Sequence, residues 1–395
     1  MQANNKKTKR LIFFSSIILL IATAWVNTAF SSHEEKSAKH HANEIVSDSV
    51  VAHHDESKLE HAETEIHAIE EKIKPGEIIM GHVTDAHDWH IATIGHKHIS
   101  IPLPIIIYGE TGLKLFSSSR FEHGHANYEG YKIEGNHILA LNHDGTVNKE
   151  AKFYDLSITK IVAAMFFAVF VLCWIMLSIA KRYRKNNLKA PKGIQSFVEP
   201  LIIFLRDEVV KPSIGPKYEK FLPYLLTIFF FIFINNLFGL IPFFPGGANV
   251  TGNIAVTLIL ALGTFIITCA NTNKNYWMHI INTPGVPWWL KFPIPLMPIV
   301  EIIGVFSKPF VLMLRLFANI TAGHIIILGF MSLIFIFGEM NVGLGLGVSL
   351  LSVAFSIFMN MLELLVAFLQ AYVFTLLSAL YFGMALEEHH NEESH

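Results

Sequence analysis

Residues Ser307 to His324 read SKPFVLMLRLFANITAGH, and they set one arginine, Arg315, between Leu314 and Leu316 in a stretch otherwise fit for a membrane interior. A charge at bilayer depth costs ~2.5 to 3.5 kcal/mol on insertion scales, so such residues face an aqueous path or a partner. Snorkelling from a helix end would need an interface within a turn or two. Here apolar residues run from Phe310 to Leu314 and again from Ile325 to Phe330. Arg315 is therefore a functional candidate on physical grounds, and the chain around it reads as membrane-embedded.

Composition agrees. Of 395 residues, 52% are hydrophobic and only 16% charged, with 32 Phe, a balance far from that of soluble domains. A net charge of −2 gives no electrostatic case for nucleic acid as a partner. The two cysteines, Cys173 and Cys269, both sit in apolar runs and cannot frame a disulfide scaffold.

The pattern predicts an all-α polytopic membrane protein of about five transmembrane helices, preceded by an exported part. Lys6, Lys7, Lys9 and Arg10 precede an apolar run from Leu11 to Trp25 with small residues after it, so residues 1–32 read as a signal peptide, the alternative being an uncleaved anchor. Residues 33–75 are polar and His-rich and cannot bury enough surface to repay ordering. Sixteen of the 21 histidines lie between His33 and His143. Pairs such as His40/His41 and His53/His54 raise a weak metal-binding reading beside the plainer one of a solvated tail. Residues 76–157 carry short β-branched and aromatic runs between turn residues, EIIMGHV, HISIPLPIIIYG, YKIEG and HILALNHDG, which predict a small extracytoplasmic β-rich domain with no catalytic spacing.

A first span is expected over Ile158–Ala180. Lys181, Arg182, Arg184, Lys185, Lys189 and Lys192 follow it, and the positive-inside rule makes that loop cytoplasmic. Ser196–Val210, with Phe197, Leu201, Ile202 and Leu205 taken as one side, reads as an interfacial or partner-facing helix. Second and third spans are expected over Tyr218–Phe244 and Val250–Ala270. Asn271–Phe292, with Trp277, Trp288 and Trp289, returns the chain to the cytoplasmic interface.

Then Pro295–Phe337 and Leu344–Leu386 are each apolar over roughly 40 residues, ~60 Å as helix, against a hydrocarbon core of ~30 Å. Without a charged break in either, a hairpin of two strongly tilted helices is expected, turning at Gly338–Gly347, with Lys308-Pro309 as the natural place for a kink. A polar tail, residues 389–395, ends the chain.

The intramembrane polar residues of the first long helix are Glu301, Ser307, Lys308, Arg315, Asn319, Thr321 and His324. Arg315 and Asn319 share a face, whereas His324 falls about half a rotation away and ~13 Å along the axis. In the second, Asn360, Glu363 and Gln370 lie on one stripe. Such a stripe suits a hydrated ion path. Interhelical glue is the alternative for the amides, but less so for Glu363, whose carboxylate costs more to bury.

SKPFVLMLRLFANITAGH, the NNLFGLIP element, and Glu363 with Gln370 together resemble the subunit a family of F-type ATP synthases, over roughly Ile158 to Glu388. RLFAN followed by AGH is the specific part. The resemblance implies a proton-translocating stator that offers two offset half-channels to a rotating ring of c subunits, alongside a b-subunit peripheral stalk and the remaining subunits. It places the chain in the inner membrane of a bacterium, with its C-terminus cytoplasmic. Arg315 matches the family's essential arginine, which attracts a ring carboxylate and separates the two paths. Asn319 and Gln370 match polar residues near it. His324 stands where some members have glutamate and Glu363 where they have histidine, so a His/carboxylate pair survives with its members exchanged, as the implied relay of the extracytoplasmic half-channel. Glu301 and Ser307 match positions of the cytoplasmic half-channel. At Gly239 some members carry aspartate, which leaves that inlet role in doubt.

Elementary chemistry points the same way. Arginine stays charged at physiological pH and suits a fixed barrier, while histidine and glutamate suit proton carriage. No phosphate-loop motif is present, no cofactor is expected, and the chain is not expected to be an enzyme by itself. A metal transporter would need several convergent ligands at membrane depth, and only His324 and Glu363 offer themselves; a membrane enzyme lacks a nucleophile–base constellation.

Overall fold

The computed structural model describes residues 85–386 apart from 95–96, 110–111, 125, 135–136, 143, 149–150, 186–192, 242–245 and 273–295. The signal pattern, the His-rich segment with His40, His41, His53 and His54, the EIIMGHV run, Trp277, Trp288 and Trp289, and the C-terminal tail lie outside the described residues. The described chain divides into two units, one of residues 161–322 with 362–386, the other of 85–160 with 323–361.

The first unit is helical. Helix α1, Lys160–Lys185, has 26 residues, ~39 Å, and carries Lys181, Arg182, Arg184 and Lys185 in its last turns, where cations suit the helix dipole. Helix α2, Ile194–Phe204, runs through a single π turn, Leu205–Val210, into α3, Lys211–Ile214. Its inner face is Val198, Leu205, Val209, Val210 and Ile214, while Ile194, Phe197, Ile203 and Phe204 point outward. Phe197 is thus exposed and Leu205 buried, so the two do not share one side: eight residues overshoot two full turns by about 80°.

Helix α4, Tyr218–Leu240, stops short of the expected Phe244 because Ile241 precedes Pro242 and is extended, at φ −84° and ψ 116°. Helix α5, Ile254–Ala270, starts after Asn253, whose side chain accepts from the Ala255 amide at 2.9 Å, so the span begins four residues later than Val250.

Helices α6, Leu296–Met340, and α7, Val342–Leu386, have 45 residues each, ~67 Å, or about twice the hydrocarbon thickness. Both are unbroken, and α6 continues as helix through Lys308-Pro309. Asn341 alone separates them, its side chain accepting from the Gly343 amide at 2.8 Å. The expected turn over Gly338–Gly347 is thus mostly helix, since glycine is readily accommodated in membrane helices. Among the described residues, four stretches are long and apolar enough to cross a membrane, and α5, at 17 residues, is a shorter fifth.

In the second unit, strands β1 (Asp88–Ile94) and β2 (Lys97–Pro102) pair antiparallel. Strands β3 (Pro104–Gly109), β4 (Gly112–Ser117) and β7 (Phe153–Asp155) make a sheet in the order β4-β3-β7, and β5 (Tyr131–Glu134) pairs with β6 (His137–Ala140). Ile105, Ile107, Phe121, Tyr131, Ile138 and Ala140 form the buried cluster between them. The chain after β7 is held by Leu156 and Ile158 amides donating to Ile106 and Pro104 carbonyls at 2.8 and 3.1 Å, and by the Lys160 amide donating to Ala86 at 2.8 Å. Beside this ladder the imidazole of His87 meets the carboxylate of Asp155 at 3.3 Å, with His87 only 8% exposed.

Candidate functional site

The α6 helix has an inner and an outer face. Leu312, Met313, Leu316 and Ile320 are buried, each at 4% exposure or less. Val311, Leu314, Arg315, Ala318 and Asn319 point out of the chain. Arg315 thus stands on an outward apolar surface that continues through Phe306 and Phe310 toward the start of the helix. Asn319, one turn on, shares that face as the spacing predicts. Thr321 turns inward enough to donate to the Gly252 carbonyl at 3.3 Å, which ties this part of α6 to the loop before α5.

Glu301 is half-buried nearer the start of α6. Ser307 is exposed and donates to the Gly304 carbonyl at 3.0 Å, satisfying its hydroxyl within its own helix. Next to it, the Lys308 ammonium lies 5.6 Å from the centre of the Tyr381 ring, a cation–π contact that brings the first part of α6 to the last turns of α7.

On α7 the inner face carries Glu363, Ala367, Gln370, Ala371, Phe374, Ser378 and Phe382. Glu363 and Gln370 are 6% and 8% exposed, so these two members of the polar stripe point inward. Asn360, grouped with them by spacing, is exposed and donates back to the Ser356 carbonyl at 2.9 Å. It belongs to the unit of residues 323–361, as does His324, which is half-buried on α6. Arg315, Asn319, Glu301, Ser307, Glu363 and Gln370 all belong to the other.

Residues that sequence reasoning left out fix the height of this stripe. Asn236 on α4 is 3% exposed; its Nδ2 donates to the Ala367 carbonyl at 3.1 Å, and its Oδ1 accepts from the Thr251 hydroxyl at 2.6 Å. Ala367 lies between Glu363 and Gln370, so the amide clamps α7 within one turn of both. The available signal was two adjacent asparagines, Asn235 and Asn236, in an apolar helix. Lower in the bundle, Thr264 is within 3.3 Å of the Tyr224 hydroxyl and 3.4 Å of the Ser378 hydroxyl. Phe221 and Tyr224 pack on Phe382, and Phe229 and Phe233 on Phe368, at ring separations of 5.0 to 6.0 Å.

The geometry offers one outward cation on an apolar wall and an inward carboxylate–amide pair on a clamped helix. Arginine keeps its charge at physiological pH, whereas a carboxylate can take up and release a proton. Among the described residues, no group of three or more His, Cys, Asp or Glu could hold a metal ion.

Known proteins are similar to this chain in sequence. The family described as ATP synthase A chain matches residues 162–383, and a domain of unknown function matches residues 78–156. The chain is 44% identical over 250 residues to an ATP synthase subunit a of Chloroherpeton thalassium, covering 61% of this chain and 71% of that one. It is 45% identical over 252 residues to an ATP synthase subunit a 2 of Chlorobaculum tepidum (62% and 68%), and 46% identical over 250 to one of Prosthecochloris aestuarii (61% and 73%).

Proposed function

The chain belongs to the ATP synthase A chain family, and we propose that within it Arg315 divides two offset proton half-channels that serve a rotating ring of c subunits. Membership makes it a multi-pass membrane subunit of a proton-translocating complex and not itself the catalytic part. The observation that carries the finer reading is the outward placement of Arg315 and Asn319 on an apolar face, opposite buried Leu312, Leu316 and Ile320. An uncompensated charge in such a place needs a partner of opposite charge, and a ring carboxylate supplies it. As each ring carboxylate passes, the guanidinium favours its ionised form, so the proton leaves to one path and is replaced from the other.

In this reading His324 and Glu363 carry protons in the extracytoplasmic half-channel, with Gln370 and Asn319 as polar neighbours of Arg315. Glu301 and Ser307 serve the cytoplasmic half-channel. The tilt of α6 and α7 lets the face of Arg315 follow a curved partner. The basic end of α1 supports a cytoplasmic loop there, hence an extracytoplasmic N-terminal part and a cytoplasmic C-terminus. A b-subunit stalk is the further partner. ATP-driven proton pumping by membrane vesicles carrying Arg315→Ala tests the central role: loss of pumping is expected, and near wild-type pumping would overturn it.

A further inference from the structure

Among the described residues of its own unit, the β4-β3-β7 sheet has a second face that is left uncovered. Tyr108 pairs with Leu113 on one side and Tyr154 on the other. One step along, Ile106 pairs with Leu115, and the Leu156 amide donates to the Ile106 carbonyl at 2.8 Å. Side chains two apart on a strand share a face. These six residues therefore form two adjacent rows, Leu113–Tyr108–Tyr154 and Leu115–Ile106–Leu156. Alternate residues Ile105 and Ile107 point the other way into the buried cluster, at 0% exposure. On the open face Tyr108, Leu113, Leu115 and Tyr154 are 54%, 65%, 68% and 72% exposed. A contiguous apolar face of this kind marks a place where something other than water is met.

What it meets follows from how the sheet is joined to the membrane. The β7 strand runs on without a flexible linker: Leu156, Ile158 and Lys160 all remain hydrogen-bonded, and Lys160 is the first residue of the apolar helix α1. At ~3.3 Å per residue, Tyr154 is within ~20 Å of that point and Leu156 within ~13 Å. The rows are also graded. The one nearer the span is wholly aliphatic, whereas the farther one carries two phenol hydroxyls. Aliphatic groups toward hydrocarbon and tyrosines toward headgroups is the order of a bilayer boundary.

We propose that this face lies against the lipid surface, with Leu115, Ile106 and Leu156 at the acyl boundary and Tyr108 and Tyr154 among the headgroups. The inference needs only that α1 crosses a membrane, and does not depend on the proton path.

The test uses the whole complex in phosphatidylcholine–phosphatidylglycerol vesicles, with Cys173 and Cys269 replaced by serine and a nitroxide placed singly at Leu115→Cys, Tyr108→Cys, Tyr154→Cys or, as aqueous control, Asp144→Cys in an exposed turn. Collision rates with oxygen and with a neutral nickel chelate report depth. The oxygen-to-nickel ratio should be several-fold higher at Leu115 than at Asp144, with the two tyrosine positions between. Ratios at all three sites equal to the control would overturn the proposal, as would labels shielded from both reagents, which would mean a protein covers the face. Pumping by the labelled complexes is read separately, so water-exposed labels in a complex that pumps normally would remove this inference and leave the proton-path reading untouched.

Discussion

Asn236 on α4 and Ala367 on α7 are joined by a hydrogen bond of 3.1 Å across 131 residues of sequence, and that bond sets where Glu363 and Gln370 stand. A buried amide bonded on both ends behaves as a register pin: Thr251 holds its Oδ1, and sliding α7 by one residue would take the Ala367 carbonyl away from its Nδ2. Asn236→Ala should weaken the membrane unit by about 1 to 3 kcal/mol, the range for leaving buried polar groups unsatisfied. It should also slow ATP-driven pumping several-fold in complexes that still assemble. Thermal inactivation of the solubilised complex reads the first and vesicle acidification the second. Unchanged values for both would show that the pin has no role.

For Arg315 two substitutions separate charge from shape. Arg315→Ala should abolish coupled pumping and raise passive proton leak through vesicles stripped of the catalytic subunits, because the barrier between the two paths is gone. Arg315→Lys keeps a cation but loses the planar fork, and should give pumping between the two extremes. A leak that stays at the wild-type level in Arg315→Ala would remove the barrier role.

The exchanged pair allows a stricter experiment. His324→Ala and Glu363→Gln should each slow proton entry, and the double exchange His324→Glu with Glu363→His should recover part of what either single exchange loses. Residues that act on one another are non-additive in such a cycle, whereas independent ones add within a few tenths of a kcal/mol. Additive losses in pumping rate would break the relay apart.

Charge in an apolar run is the loudest signal a membrane sequence carries, which is why Arg315 and Glu363 were legible in the sequence, with polar Gln370 beside them, as were the long apolar segments that became α6 and α7. Boundaries were less so. Asn253 and Pro242 fix the ends of α5 and α4 through a side-chain cap and a backbone restriction, both weaker in the sequence than the surrounding hydrophobicity. The glycines from Gly338 to Gly347 suggested a turn and proved mostly helical. The Asn236–Ala367 bond was not readable at all, since one partner is a backbone carbonyl and leaves no trace in residue type.

At the root of the β strands, acid should act through Asp155. Burial alone would raise its pKa, but the hydrogen bond and charge of His87, with hydrogen bonds from Ser157, outweigh it and hold the carboxyl below the usual range. A carboxyl whose folded pKa is depressed stabilises the fold fully above its unfolded pKa of about 3.9, and that contribution is lost as pH falls through the folded value. Protection of the Leu156 and Ile158 amides, measured as exchange relative to an unstructured peptide at the same pH, should therefore fall below about pH 4 in the wild-type complex. Asp155→Asn should exchange faster at neutral pH and show little further change on acidification. An acid response that survives the substitution unchanged would place the titrating group elsewhere.

Gly383 gives a prediction in which two physical effects oppose each other. In the middle of an exposed helix, replacing glycine by alanine is favourable by up to about 1 kcal/mol, through helix propensity alone. At Gly304 on α6 an added methyl group would meet nothing within 4 Å, so Gly304→Ala should be neutral or slightly stabilising. At Gly383 the same group would lie 2.0 Å from the Ser213 carbonyl oxygen and 3.1 Å from its carbon. Those are backbone atoms just before the end of α3 and cannot swing aside as a side chain would. Separation of α3 from α7 would cost about 1 to 3 kcal/mol in forced repacking, more than propensity returns. Gly383→Ala should therefore lower the thermal inactivation midpoint of the solubilised complex while Gly304→Ala leaves it level or raises it. Equal shifts for the two would mean that α7 does not approach α3 this closely.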